Sequence, residues 1–83
     1  MTTAPTNTDR AEWAHEALAT FAARTVGGDY PDSMDRDDLE CAICDLIADW
    51  MHLAAYRGCD TEVVAARAHL HYEAEVREEG RQA

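Results

Sequence analysis

The segment from Leu39 to Arg57 constrains the fold more than any other part of the chain, because its apolar residues recur every three or four positions. That spacing predicts an α-helix. The apolar residues cover about half of the helix circumference, which is wider than the stripe of about 100° that a surface helix of a globular protein needs. The predicted core and self-association surface consists of Leu39, Ile43, Leu46, Ile47, Trp50, Met51 and Leu53.

Capping residues and glycines mark the ends of three predicted helices. Thr8 or Asp9 is expected to cap the first helix, and Gly27 with Gly28 to end it. The later signals are Asp35 as the cap of the second helix, Gly58 as its end, Asp60 or Thr61 as the cap of the third, and Gly80 as the end of regular structure. We therefore expect an all-α, three-helix small domain over residues 9–79 with a long central helix, a disordered leader at 1–8 and a frayed tail at 80–83.

The short length of the chain points to self-association. A domain of 83 residues buries too little surface to be comfortably stable without disulfides, metal, oligomerisation or very regular helix packing. Three cysteines, two of them only three positions apart, do not form a disulfide framework. Two short flanking helices leave part of the broad apolar face uncovered, so we expect a helical-bundle homodimer. A monomer in which these helices suffice remains open.

The charge is strongly negative, at −10, and every basic residue is arginine. Such a surface repels nucleic-acid phosphates and attracts basic proteins or cations. We expect no direct nucleic-acid binding, and an unidentified, basic protein as partner. The predicted partner surface consists of Asp29, Asp32, Asp35, Asp37, Asp38 and Glu40. The alternative is that these acids only make the chain soluble.

One narrow arc of the central helix carries the possible metal ligands. Its residues are Cys41, Asp45, Asp49, His52 and Tyr56, spaced by four, four, three and four positions. Residues along one helix cannot surround a cation, so a site would need ligands from another helix or from a second copy of the chain. Glu12, His15 and Glu16 of the first helix are the obvious donors. The candidate metal ligands are therefore Glu12, Glu16, Asp45, Asp49 and His52, and the alternative is a solvated polar face.

The Cys41-x-x-Cys44 pair does not predict redox chemistry. It lies inside a helix between Asp38 and Asp45, whereas a reactive pair sits at a helix start. We expect Cys44 to pack as a small apolar residue. No catalytic motif, signal peptide or membrane-spanning run is readable, which predicts a cytoplasmic protein with no catalytic residue and no membrane contact.

The block from Asp37 to Glu75 resembles small α-helical proteins of actinobacteria and their phages and plasmids. The shared features are Asp-Leu-Ile-Ala-Asp at 45–49, His-Leu-Ala at 52–54, Gly-x-Asp at 58–60 and His-Tyr-x-x-Glu at 71–75. This resemblance implies no activity.

A fainter likeness is to the MazG-like all-α nucleotide pyrophosphatases, in which acidic pairs on two adjacent helices of a dimeric bundle hold Mg²⁺. The residues from Asp45 to Asp60 look like the second of those helices and the turn after it. Asp49 matches the final acid, but Asp45 precedes it by four positions where the family has three. The matching pair on the first helix is Glu12 and Glu16. The likeness implies a shortened relative without activity.

Three functions follow from these features. The first is a small, acidic, non-enzymatic protein-binding or regulatory module, one form of which is an acidic decoy for a basic nucleic-acid-binding protein. The second is a Mg²⁺-dependent nucleotide pyrophosphatase relative. The third is a metal-binding helical protein that uses Cys41, Asp45 and His52. We favour the first, which needs no cofactor.

Overall fold

The structure, a computed structural model, describes residues 4–25 and 31–82. This part of the chain contains three α-helices and a short 3-10 helix, and no strand within it. The helices are α1 (Asn7–Thr25), α2 (Arg36–Tyr56) and α3 (Thr61–Gln82), and the 3-10 helix is Pro31–Ser33. The predicted all-α, three-helix domain is confirmed. The predicted stop at Gly27 and Gly28 lies outside the described residues.

Helix α1 begins earlier than predicted, because Thr6 caps it. The backbone N–H of Asp9 donates to Thr6 Oγ1 over 3.1 Å, and the backbone N–H of Thr6 donates to Asp9 Oδ2 over 2.9 Å. This reciprocal pair is a capping box, with aspartate in the place of the usual glutamate. The expectation that Thr8 or Asp9 caps the helix is wrong. Asp9 takes part in the cap from the third helical position.

Both predicted ends of α2 are confirmed. Asp35 is the N-cap, and its carboxylate accepts from the backbone N–H of Asp38 over 2.8 Å. At the other end, Gly58 has a φ of +78°. Its N–H donates to the carbonyl of Ala55, while the N–H of Cys59 donates to the carbonyl of Ala54. These two bonds form a Schellman motif, which requires the left-handed conformation that glycine adopts without strain.

Helix α3 starts where it was predicted but ends later. Asp60 Oδ1 accepts from the N–H groups of Glu62 and Val63, which confirms Asp60 as the cap. The helix passes through Gly80 to Gln82, so Gly80 does not end it. A glycine inside a helix costs only about 1 kcal/mol relative to alanine, and the arginines and glutamates around it favour helix. With 22 residues, α3 rather than α2, with 21, is the longest helix.

A polar junction joins the start of α1 to the last third of α3. The Asn7 side-chain amide donates to the carbonyl oxygen of Glu75 over 3.2 Å, and the Asn7 backbone N–H donates to Glu79 Oε1 over 3.1 Å. Arg10 donates to Asn7 Oδ1 over 2.8 Å, and its Nε lies 3.1 Å from Glu75 Oε2. Each polar side chain of the junction therefore has a partner supplied by the chain itself.

The apolar core is very small. Leu18 and Ala22 of α1 are 4% and 1% exposed, and Pro31 is also buried. No residue of α2 is buried. The Cα radius of gyration is 14.7 Å, whereas a compact domain of this length has about 12 Å. The three helices are thus arranged openly, and most of their apolar surface is uncovered in the single chain.

Candidate functional site

An open groove of about 510 Å³ runs between α1 and α2. Its lining is predominantly apolar. Helix α2 forms one wall, α1 forms the other, and the 3-10 helix contributes Pro31 and Asp32. The lining residues are Ala11, Ala14, His15, Leu18, Pro31, Asp32, Leu39, Ile43, Leu46, Ile47 and Trp50. We call this feature the groove.

The α2 wall of the groove consists of large apolar side chains. Trp50 is 51% exposed and Ile47 is 47% exposed, and Ile43 is exposed to a similar extent. Leu39 and Leu46 are half-buried. All five were predicted as core or self-association residues, and the structure brings them to one wall. In the single chain none of them reaches the burial of a core residue.

The α1 wall is made of smaller residues. Ala11 and Ala14 lie opposite the large side chains of α2, and Leu18 lies deeper. Small residues on one wall allow a helix to approach closely. At the rim, His15 Nε2 is 3.6 Å from Asp32 Oδ1. Both of these side chains are well exposed, so the contact adds little stability.

Other apolar side chains are also uncovered. Met51 and Leu53, the remaining members of the predicted self-association surface, are exposed on α2. On α3, the periodicity predicts an apolar stripe that includes Val63 and Leu70, yet Leu70 is 63% exposed. The stripe exists in the sequence, but no part of the described chain covers it.

The total accessible surface is large for the size of the chain. It amounts to 7048 Å², whereas a compact monomer of 9.2 kDa has about 4,900 Å² by the usual scaling with mass. The excess is about 2,100 Å². The extra surface agrees with the open arrangement of the helices.

Carboxylates are concentrated around the start of α2, whose residue Leu39 lines the groove. The acidic cluster, as we call it, comprises Asp32, Asp35, Asp37, Asp38 and Glu40, all of them exposed. Asp32 belongs both to the cluster and to the groove lining. Asp29, the sixth predicted member, lies outside the described residues.

The predicted metal ligands do not come together in the single chain. Glu12 and Glu16 line a shallow depression on the outside of α1 with His15. Asp45, Asp49 and His52 are exposed on α2. Asp45 and Asp49 lie about 200° and 240° around the helix from the groove residue Ile43, so they face away from α1. Within residues 4–25 and 31–82, no three His, Cys, Asp or Glu side chains are close enough to hold an ion. The metal and Mg²⁺ sites stay predictions.

The cysteines are free and exposed. Cys41 lies with Asp45 on the polar arc of α2, as predicted. Cys44 was expected to pack as an apolar residue and does not do so in the single chain. Over the part of the chain that the structure describes, no helix is long and apolar enough to cross a bilayer.

The contacts of the polar junction were not predicted from the sequence. The start of α1 at Asn7 could have been predicted, because Thr6-x-x-Asp9 is a capping signal. The contacts of Asn7 with α3 could not have been predicted, because nothing near Asn7 in the sequence indicates that Glu75 and Glu79 will lie beside it.

Comparison of the chain with protein-family models, with curated proteins and with solved structures finds no match.

Proposed function

We propose that this chain is a small, acidic, non-enzymatic protein-binding module, and that its binding surface is the groove together with the acidic cluster. The observation that carries the proposal is the exposure of the α2 wall. Trp50 is about half accessible, while the buried hydrophobic core of the described residues consists of Leu18 and Ala22. Large apolar side chains stay exposed in water at a cost of about 25 cal/mol per Å². Covering them with another polypeptide removes that cost.

The shape and chemistry of the groove favour a helix as its occupant. Amphipathic helices bind in apolar grooves through side chains at three- and four-residue spacing. The α2 wall already has that spacing, with Leu39, Ile43, Leu46 and Trp50 at intervals of four, three and four. A facing helix with the same period can interdigitate with it.

The acidic cluster adds a charge preference. Its five carboxylates surround the start of α2, whose Leu39 lines the groove, with Arg36 as the only base between Pro31 and Glu40. A basic polypeptide that occupies the groove gains attraction there, and a nucleic acid is repelled. The acidic decoy is one form of this function, in which the cluster competes with phosphates for a basic cleft.

The test is capture of proteins from the native host on immobilised full-length chain. We expect a repeatable basic partner whose retention falls between about 50 mM and about 500 mM salt, because screening weakens surface charge pairs. Ile47→Asp should lose the partner, since it buries an unpaired charge in the groove. The combined variant Asp37→Asn, Asp38→Asn and Glu40→Gln should bind more weakly at low salt only. Identical capture by all three proteins contradicts the proposal.

A further inference from the structure

We propose that the groove also receives helix α2 of a second copy of this chain, laid antiparallel across a two-fold axis near Leu46. The inference rests on the proposed function, because it names one polypeptide that covers the groove. In the resulting dimer each copy covers the α2 wall of the other.

The surface area suits an occupant of this size. The single chain exposes about 2,100 Å² more than a compact monomer of its mass. A standard protein interface buries about 800 Å² per partner, and obligate homodimers bury more. The excess of the whole chain is larger than the area that one partner buries in a standard interface.

The apolar patch on α2 is suited to pairing with itself. A two-fold interface uses the same patch on both subunits. The patch runs from Leu39 to Leu53 with spacings of four, three, four and three, and Leu46 is at its centre. Two such patches overlap fully in the antiparallel direction when their centres coincide. Spacing of this kind forms the seam of paired helices.

The charge distribution along α2 selects the antiparallel direction. Asp35, Asp37, Asp38 and Glu40 lie at its start, whereas Arg57 follows its end and no acid occurs from Trp50 to Gly58. A parallel pair would set the two acidic starts side by side, which is repulsive. An antiparallel pair sets each acidic cluster beside the Arg57 of the other copy, and it also aligns the helix dipoles favourably.

This arrangement gives the dimer two separate acidic surfaces. From the centre at Leu46 to the start of α2 is about ten residues, or about 15 Å along the helix. The two acidic clusters then lie about 30 Å apart, at opposite ends of the seam. A basic partner with two sites can bind both clusters at once, and a partner with one site binds either.

The native cysteines allow the geometry to be measured without altering the groove. Cys41→Ser with Cys44→Ser leaves Cys59 alone, just beyond the end of α2, where it is exposed. In the antiparallel dimer two spin labels on Cys59 are about 40 Å apart along the seam, because each lies about 13 residues from the centre. In a parallel dimer only the interaxial distance of about 10 Å and the label lengths separate them. The measurement is pulsed electron paramagnetic resonance, with light scattering on the same sample.

We expect a dimer by light scattering and a distance of about 40 Å. Adding Ile47→Asp to the labelled variant should abolish the intermolecular distance while circular dichroism shows that the helices are retained. A dimer with a distance below about 20 Å overturns the antiparallel arrangement. If light scattering shows a folded monomer at about 100 µM, a second copy does not occupy the groove. If the chain is monomeric but still captures a basic protein, and Ile47→Asp abolishes that capture, the proposed function stands without the dimer. If no basic protein is captured either, both the dimer and the proposed function are contradicted.

Discussion

The two places where α1 meets the other helices differ in chemistry and in completeness. At the polar junction, Asn7 and Arg10 find partners on α3 within hydrogen-bond distance. At the groove, the alanines of α1 face Ile43, Ile47 and Trp50 across open space. Directional polar contacts are satisfied by a few atoms, but an apolar face needs a whole matching surface. The described part of the chain completes the first and leaves the second open.

The largest expected effect is that of a charge introduced into the groove on self-association. Ile43→Asp should raise the dissociation constant of self-association about a hundredfold or more, because it buries a charge inside the proposed interface. Cys41→Asp is the matched control, since it adds the same charge to the exposed polar arc of α2 and should change the constant less than about threefold. Analytical ultracentrifugation measures both. Equal effects of the two variants contradict the assignment of the groove as the interface.

Leu18→Ala tests the small core that the chain does form. Leu18 is 4% exposed, and removing a buried leucine side chain costs about 2 to 3 kcal/mol where the site can partly relax. Glu16→Ala on the exposed side of α1 should stay within about 0.5 kcal/mol. Urea unfolding followed by circular dichroism gives both values. A loss below about 1 kcal/mol for Leu18→Ala would mean that α1 does not pack against the rest of the chain as described.

Asn7→Ala tests the polar junction. The variant loses the hydrogen bond to the Glu75 carbonyl and the one from Arg10, so we expect the free energy of unfolding to fall by about 1 kcal/mol. Self-association should be unaffected, because the junction lies away from the α2 wall. Arg10→Ala should cost less than about 1 kcal/mol and lose part of its effect at high salt, because its ion pair is only partly buried. If Asn7→Ala raised the dissociation constant of the dimer as much as Ile43→Asp does, the polar junction and the groove would not be independent regions.

Gly80→Ala tests how firmly the junction holds the end of α3. A Cβ added at Gly80 meets no atom within 4 Å, so the substitution should stabilise the chain by about 0.5 kcal/mol through helix propensity. Gly58→Ala should instead destabilise it by about 1 kcal/mol, because the φ of +78° strains any other residue. Thermal unfolding distinguishes the signs. No stabilisation by Gly80→Ala would indicate that α3 frays before this residue.

The smallest expected effect is that of Mg²⁺. The acids of α1 and α2 do not converge within the described chain, so millimolar Mg²⁺ should move the melting temperature by less than about 1 °C. Glu12→Gln with Asp49→Asn is the matched variant and should respond in the same way. A rise of several degrees that this variant abolishes would favour the nucleotide pyrophosphatase prediction and a metal site formed between copies.

Local signals predicted most of the secondary structure correctly. The caps at Asp35 and Asp60 and the end at Gly58 could be read because each acts on backbone groups within a few residues. The start of α1 was missed although its signal, Thr6-x-x-Asp9, is equally local. The end of α3 was misplaced because glycine disfavours helix without forbidding it.

The candidate site was predicted in part. Five of the seven predicted apolar residues of α2 line the groove, because helical periodicity alone assigns them to one side. The depth of the groove depends on how closely α1 approaches, and no local pattern specifies that distance. For the same reason, the uncovered stripe of α3 around Val63 and Leu70 could not be foreseen.

The amino-acid sequence by itself determined that the chain is three helices with one broad apolar face and an excess of acid, since helix formation and charge follow from neighbours along the chain. The tertiary structure alone decided that Asn7 and Arg10 fasten α1 to α3, and that the α2 wall stays open. These outcomes depend on contacts between residues that are far apart in sequence, where orientation and distance, rather than residue type, determine what is covered.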